Sequence, residues 1–72
     1  MDDRTATIRV NGESEPLSSD TVAALLVAKE IDVSGRGIAV ALNGAVLPRA
    51  AWAETPLSPG DAVEIVRARQ GG

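Results

Sequence analysis

The chain has 72 residues, a formal net charge of −3 and 44% apolar residues, and it contains no Cys, His, Tyr or Phe. That describes one small domain with enough apolar side chains for a compact core. It leaves no disulfide, no thiolate nucleophile and no histidine base or ligand, and one aromatic with a negative net charge gives nucleic acid neither footprint nor stacking platform.

No apolar run approaches the roughly 20 residues that span a bilayer. Met1-Asp2-Asp3-Arg4 is acidic, and no long hydrophobic stretch follows it as a secretory signal requires. A cytoplasmic location is the expectation.

Residues 5–10, Thr-Ala-Thr-Ile-Arg-Val, alternate with period two and read as a half-buried strand with Ala6, Ile8 and Val10 inward. Asn11-Gly12 is a strong hairpin signal, because both positions tolerate positive φ. The return strand is predicted from Glu13 to about Leu17, and Pro16 marks it as an edge. Ser18, Ser19 and Asp20 offer oxygens to cap a helix running from Thr21 to about Ile31. Val22, Leu25 and Leu26 form its apolar stripe, which Ala28 and Ile31 extend, while Lys29 and Glu30 reach solvent. Gly35 and Gly37 mark a loop.

Ile38 to Leu42 is the most regular strand, with Ile38, Val40 and Leu42 on one face and Ala39 and Ala41 on the other. Asn43-Gly44 turns it into a short strand at Ala45 to Leu47, and Pro48 ends that strand. Arg49 to Thr55 is a short helical turn carrying Trp52, which reads as a packing residue closing one end of the core rather than as a binding anchor. Ser58-Pro59-Gly60-Asp61 is a turn before the last strand, Ala62 to about Ala68. There Val63 and Ile65 face the core, and Glu64 and Val66 face away.

A helix inserted between two strand pairs in so short a chain must pack across one face of a mixed sheet. The simplest fit is an α+β fold, the β-grasp or ubiquitin-like arrangement. It has four to five strands, one main helix, and the first and last strands parallel at the centre. Residues 1–72 are then one domain, and residues 67–72 form a flexible tail ending in Gly71-Gly72.

Several segments carry a family resemblance. Asn43-Gly44-Ala45-Val46-Leu47-Pro48-Arg49-Ala50-Ala51-Trp52 resembles the N-x-x-x-V-P-R-x-x-W segment of the ThiS sulfur carriers of thiamine thiazole synthesis, with Leu47 in place of Val. Pro59-Gly60-Asp61-Ala62-Val63-Glu64-Ile65 resembles the family's D-G-D-x-V-E-I, with Pro59 replacing the first Asp. Thr21-Val22-Ala23-Ala24-Leu25-Leu26 is similar to its T-V-x-x-L-L helix start, and the terminal Gly71-Gly72 matches as well.

The resemblance implies a carrier and not an enzyme, with no catalytic side chain, no metal site and no bound cofactor of its own. A ThiF-like adenylyltransferase would use ATP and Mg to adenylate the Gly72 carboxylate. A cysteine desulfurase or other sulfur donor would convert it to a thiocarboxylate (1-thioglycine), and a ThiG-like thiazole synthase would consume the sulfur. Gly71, Gln70, Arg69, Arg67 and Val66 are the candidate partner-binding residues.

For Val66 the reading is divided between a docking residue and an ordinary exposed strand residue. Arg67 and Arg69 either pair with acidic partner groups or are solvated, and Arg49 either meets a partner or makes a structural hydrogen bond. Asp2, Asp3, Glu13, Glu15 and Asp20 show no spacing that argues for acid–base work or a metal. Two alternatives remain: a MoaD-like molybdopterin synthase small subunit, whose more aromatic, proline-containing final segment Val63 to Gln70 lacks, and a non-covalent β-grasp interaction module with an inert terminus.

Overall fold

The computed structural model describes residues 6–33 and 37–67. In chain order they form β1 (Thr7–Val10), β2 (Glu13–Pro16), α1 (Val22–Ala28), β3 (Ile38–Leu42), β4 (Ala45–Leu47), a 3₁₀ segment (Arg49–Glu54) and β5 (Ala62–Arg67). The strands make one mixed sheet in the order β2-β1-β5-β3-β4. β5 lies parallel to β1 on one side and antiparallel to β3 on the other. The last strand is therefore central, the β-grasp arrangement.

Two Asn-Gly turns build the two hairpins. Asn11 and Gly12 have φ of 53° and 86°, and Asn43 and Gly44 have 52° and 88°. Positive φ at both central positions is the type I′ condition, whose twist matches that of the flanking strands. β2 lies at the sheet edge, where Pro16 opposite Thr7 costs the ladder no central bond.

Inward positions of β1, β3 and β5 meet α1 and the 3₁₀ segment in one core. Ile8, Val22, Leu26, Val40 and Val63 are almost wholly buried, and Val10, Leu25, Ile31, Trp52, Leu57 and Ile65 complete the cluster. Trp52 packs there as its sequence context suggests, and its indole N–H donates to the Leu47 carbonyl at 3.0 Å. That bond removes the cost of burying the one polar atom of the ring.

The helix is shorter at both ends than its apolar pattern predicts. Thr21, not Ser18, Ser19 or Asp20, is the N-cap: it is extended (φ −132°) and its hydroxyl accepts from the Ala24 amide at 3.1 Å. The cause is tertiary. Thr21 bridges to Pro56, and the Val22 amide donates to the Thr55 carbonyl, so helical geometry begins only at Val22.

At the other end the helix stops at Ala28. The Glu30 amide donates to the Val27 carbonyl and the Ile31 amide to the Leu26 carbonyl, at 2.9 Å each. These two bonds are a Schellman motif, with Glu30 in the left-handed position (φ 62°). Ile31 is buried as the residue that folds back after the helix, not as a member of its stripe, and Ala28 is exposed. Lys29 does not simply reach solvent, because its Nζ lies 2.9 Å from Glu15 Oε2.

Glu30 is an unfavourable occupant of that position. A side chain in the left-handed region costs about 1–2 kcal/mol, and a carboxylate opposes the negative end of the helix dipole. Glu30→Gly is expected to stabilise the fold by about 1 kcal/mol after allowing for glycine's larger unfolded-state entropy. Thermal denaturation should show a midpoint raised by roughly 4–8 °C per kcal/mol.

Candidate functional site at the end of the last strand

β5 brings the chain towards its terminus through the middle of the sheet. Its outward residues are Ala62, Glu64 and Val66, and its inward ones are Val63, Ile65 and Arg67. Val66, opposite Ala39, is 62% exposed. Across β3, Ala41 pairs with Val46 of β4, and Val46 is 80% exposed. Val46, Val66 and the small alanines of β3 thus form an apolar strip on the sheet face away from the helix, with Glu64 beside it.

Arg67 points the other way. It sits opposite Ile38 on the helix side and lines an open groove of about 650 Å³ with Glu13, Glu15 and Lys29. The structure therefore does not gather the predicted contact residues onto one surface: Val66 and Arg67 lie on opposite faces. Arg67, the first residue of the expected 67–72 tail, is instead paired in β5, because Ile38 of β3 still lies opposite it. The rest of that tail, with Arg69, Gln70, Gly71 and Gly72, lies outside the described residues. Among the described residues, no group of three Asp or Glu side chains is placed to hold a metal ion.

Asn11 is the residue that sequence reasoning used only as a turn former. β1 ends at Val10, whose partner on β5 is Val63. One residue on, the Asn11 amide donates to the Val63 carbonyl at 2.9 Å. Its side chain then takes over the role of a strand, because Oδ1 accepts from the Ile65 amide at 2.8 Å and Nδ2 donates to the Ile65 carbonyl at 3.3 Å.

Asn43 does the counterpart at the start of β5. Its amide donates to the Ala62 carbonyl at 2.7 Å, its Oδ1 accepts from the Ala62 amide at 2.9 Å, and its Nδ2 donates to Asp61 Oδ1 at 3.1 Å. Asp61 also accepts from the Ser58 amide, closing the turn that feeds β5. No local signal separates such an asparagine from one that merely forms a turn. Val46 was legible in principle, since the Asn43-Gly44 register sets it beside Ala41.

Arg49 makes the structural hydrogen bond expected of it. Its guanidinium donates to the Val33 carbonyl and lies 4.9 Å from the centre of the Trp52 ring. It ties the 3₁₀ segment to the end of the α1 loop and covers the outer face of the buried indole.

The ThiS family model matches residues 4–72. The chain is 38% identical over 63 residues to a sulfur carrier protein ThiS from Thermus thermophilus, covering 88% of this chain and 95% of the relative. A crystal structure of the thiamine biosynthesis protein ThiS from Geobacter metallireducens matches with a TM-score of 0.75 and 35% identity, over 92% of this chain and 99% of that one. A solution structure of a thiamine biosynthesis protein from the same organism matches with a TM-score of 0.74 and 33% identity, over 92% and 87% of the two chains.

Removing the Arg49 side chain deletes a charged hydrogen bond and a cation–π contact. Arg49→Ala should destabilise the fold by about 1–2 kcal/mol in urea denaturation. Trp52 is the only aromatic residue, so its fluorescence reports the transition without interference.

Proposed function

The chain belongs to the ThiS family, and from that premise we propose that it is a sulfur carrier of thiamine (thiazole) biosynthesis, a protein co-substrate whose reactive group is the Gly72 carboxylate. The observation that carries the reading is the family match running through Gly72 on a sheet whose central strand is the one leading there. The apolar strip of Val46 and Val66 supports a protein partner for the body, because apolar surface beside charge is a common docking surface.

A carboxylate resists attack at carbon because it is anionic and resonance-stabilised. In the proposed relay a Gly72 oxygen attacks the α-phosphorus of MgATP on a ThiF-like adenylyltransferase, and pyrophosphate leaves. The terminal sulfur of a persulfide, supplied by a cysteine desulfurase or another donor, then displaces AMP. Cleavage of the resulting acyl disulfide by a thiol frees the thiocarboxylate. That anion is a soft nucleophile, which a ThiG-like thiazole synthase consumes. ATP and Mg belong to the activating partner, and no step requires a side chain of the carrier as acid, base or nucleophile.

Glycine suits the reacting end because a residue without Cβ lets the backbone approach closely within a narrow channel. A methyl beside the reacting carbon displaces it, and misplacement of about 1 Å costs on the order of 100-fold. Gly72→Ala is therefore expected to lose about that factor in ATP–pyrophosphate exchange while keeping the wild-type thermal midpoint. Intact-mass spectrometry tests the reading directly. With ATP, the adenylyltransferase and a sulfur source, the chain should gain the difference between one sulfur and one oxygen, located on Gly72. No gain under conditions that convert a ThiS control would overturn it.

Val66 separates docking from chemistry. Val66→Asp alters an exposed position, so the fold should stay within about 0.5 kcal/mol of wild type. The KM for the carrier in pyrophosphate exchange should rise about tenfold, as expected for a charge placed in an apolar contact. An unchanged KM would return Val66 to the status of an ordinary surface residue.

A further inference from the structure

We propose that Asn11 is a positioning residue for activation of the chain terminus: by clamping Ile65 it fixes the point from which the residues leading to Gly72 depart. The proposal rests on the reading of Gly72 given above.

In the antiparallel ladder with β3, hydrogen-bonded positions alternate along β5. Ile65 is bound through both its amide and its carbonyl by Asn11, so its backbone faces β1, and Val66, one residue on, faces β3. The β3 residues available there are Ala39 and Ile38, the first of that strand. The β1 backbone has already turned away at Asn11. Without the Asn11 side chain, the last two-sided attachment of β5 recedes from Ile65 to Val63.

The result is a difference in what a partner must order. Residues 64–67 keep their pairing with β3 but lose all support on the other side, and each residue that frays as a result costs on the order of 1–2 kcal/mol to fix again. The apolar strip of Val46, Val66 and the β3 alanines is held by the pairings of β3 with β4 and β5, which the loss of the Asn11 side chain leaves in place. Loss of the clamp should therefore leave docking nearly intact and lower the fraction of docked complexes with Gly72 in place. That is an effect on kcat, not on KM.

The molecule supplies its own control. Asn11→Gly and Asn43→Gly each keep a residue suited to positive φ, keep the backbone bond to β5 and delete a bridging side-chain amide. One deletion lies near the end of β5 and the other at its start. Both variants should lose stability by a similar small amount, so stability alone does not distinguish them.

The experiment measures ATP–pyrophosphate exchange by a ThiF-like adenylyltransferase that activates the wild-type chain, below the thermal midpoint of every variant. For Asn11→Gly, kcat should fall about tenfold, with the KM for the carrier within about twofold of wild type. Asn43→Gly should stay within about twofold in both. Asn11→Asp keeps the acceptor for the Ile65 amide but sets a carboxylate against the Ile65 carbonyl, and it should be as slow as Asn11→Gly. Amide hydrogen exchange at Ile65 should accelerate in Asn11→Gly and not in Asn43→Gly.

A loss shared equally by Asn43→Gly, a loss confined to KM, or wild-type kcat in an Asn11 variant whose Ile65 amide exchanges faster would each overturn the proposal. Unchanged Ile65 exchange in Asn11→Gly would dispose of the clamp itself. Absence of exchange activity with the wild-type chain, while a ThiS control is activated, overturns the reading of Gly72 and the positioning role with it. The hydrogen-exchange contrast still reports separately whether Asn11 holds Ile65.

Discussion

The last strand of this chain must be hydrogen-bonded on both sides, and the rest of the fold is arranged to meet that requirement. A central strand buried among its neighbours cannot leave amides and carbonyls unpaired without a penalty of about 1–3 kcal/mol for each. β1 covers one edge of β5 and β3 the other, and each is the first strand of a hairpin that turns at Asn-Gly. Where the neighbouring backbone runs out, the turn asparagine extends it: Asn11 reaches Ile65 and Asn43 reaches Ala62. The same residue type thus turns the hairpin and completes the ladder. Asparagine suits both tasks, because it tolerates the left-handed region and its side-chain amide carries a donor and an acceptor like a peptide group. Aspartate lacks the donor, and glycine lacks both groups.

This construction agrees with the chemistry proposed for the chain. A co-substrate that reacts through its main-chain terminus needs no catalytic constellation, but it does need a firm base from which that terminus departs. A domain of this size holds only about 4–11 kcal/mol of total stability. Placing the exit on the central strand uses the most strongly held part of such a sheet as the base. Trp52, capped by Arg49 and bonded to Leu47, closes the core at the β4 end.

Much of the fold was legible because its signals are local. The two Asn-Gly pairs, the alternation of Ile38 to Leu42 and of Ala62 to Val66, and the stripe of Val22, Leu25 and Leu26 place the strands and the helix. The helix ends were not legible, because tertiary bonds decide them: Thr21 is drawn into a bridge with Pro56, and Ile31 folds back to bury itself beyond a left-handed Glu30. Of the candidate site, Val66 and its neighbour Glu64 were placed on their correct face by period two, whereas Arg67, read as the start of the tail, was given no face. The separation of Val66 and Arg67 onto opposite sides of the sheet follows from the same alternation. The role of Asn11 was hidden, since its two bonds cross a sequence separation of 54 residues.

The proposed docking strip includes a residue of the strand that leads to Gly72, and in the proposed relay this sets a geometric limit on the partner. Val66 lies within the apolar strip, and Gly72 is six positions further along the chain. Fully extended, six residues reach at most about 20 Å. A partner that contacts Val66 must therefore place the group that reacts with Gly72 within about that distance of the contact. A longer path would require β5 to separate from β3 and from Asn11, exposing paired backbone groups and the Ile65 side chain. In the proposed relay the ladder that holds the last strand thus also measures the reach of the chain, and a partner would be selected by distance as well as by surface.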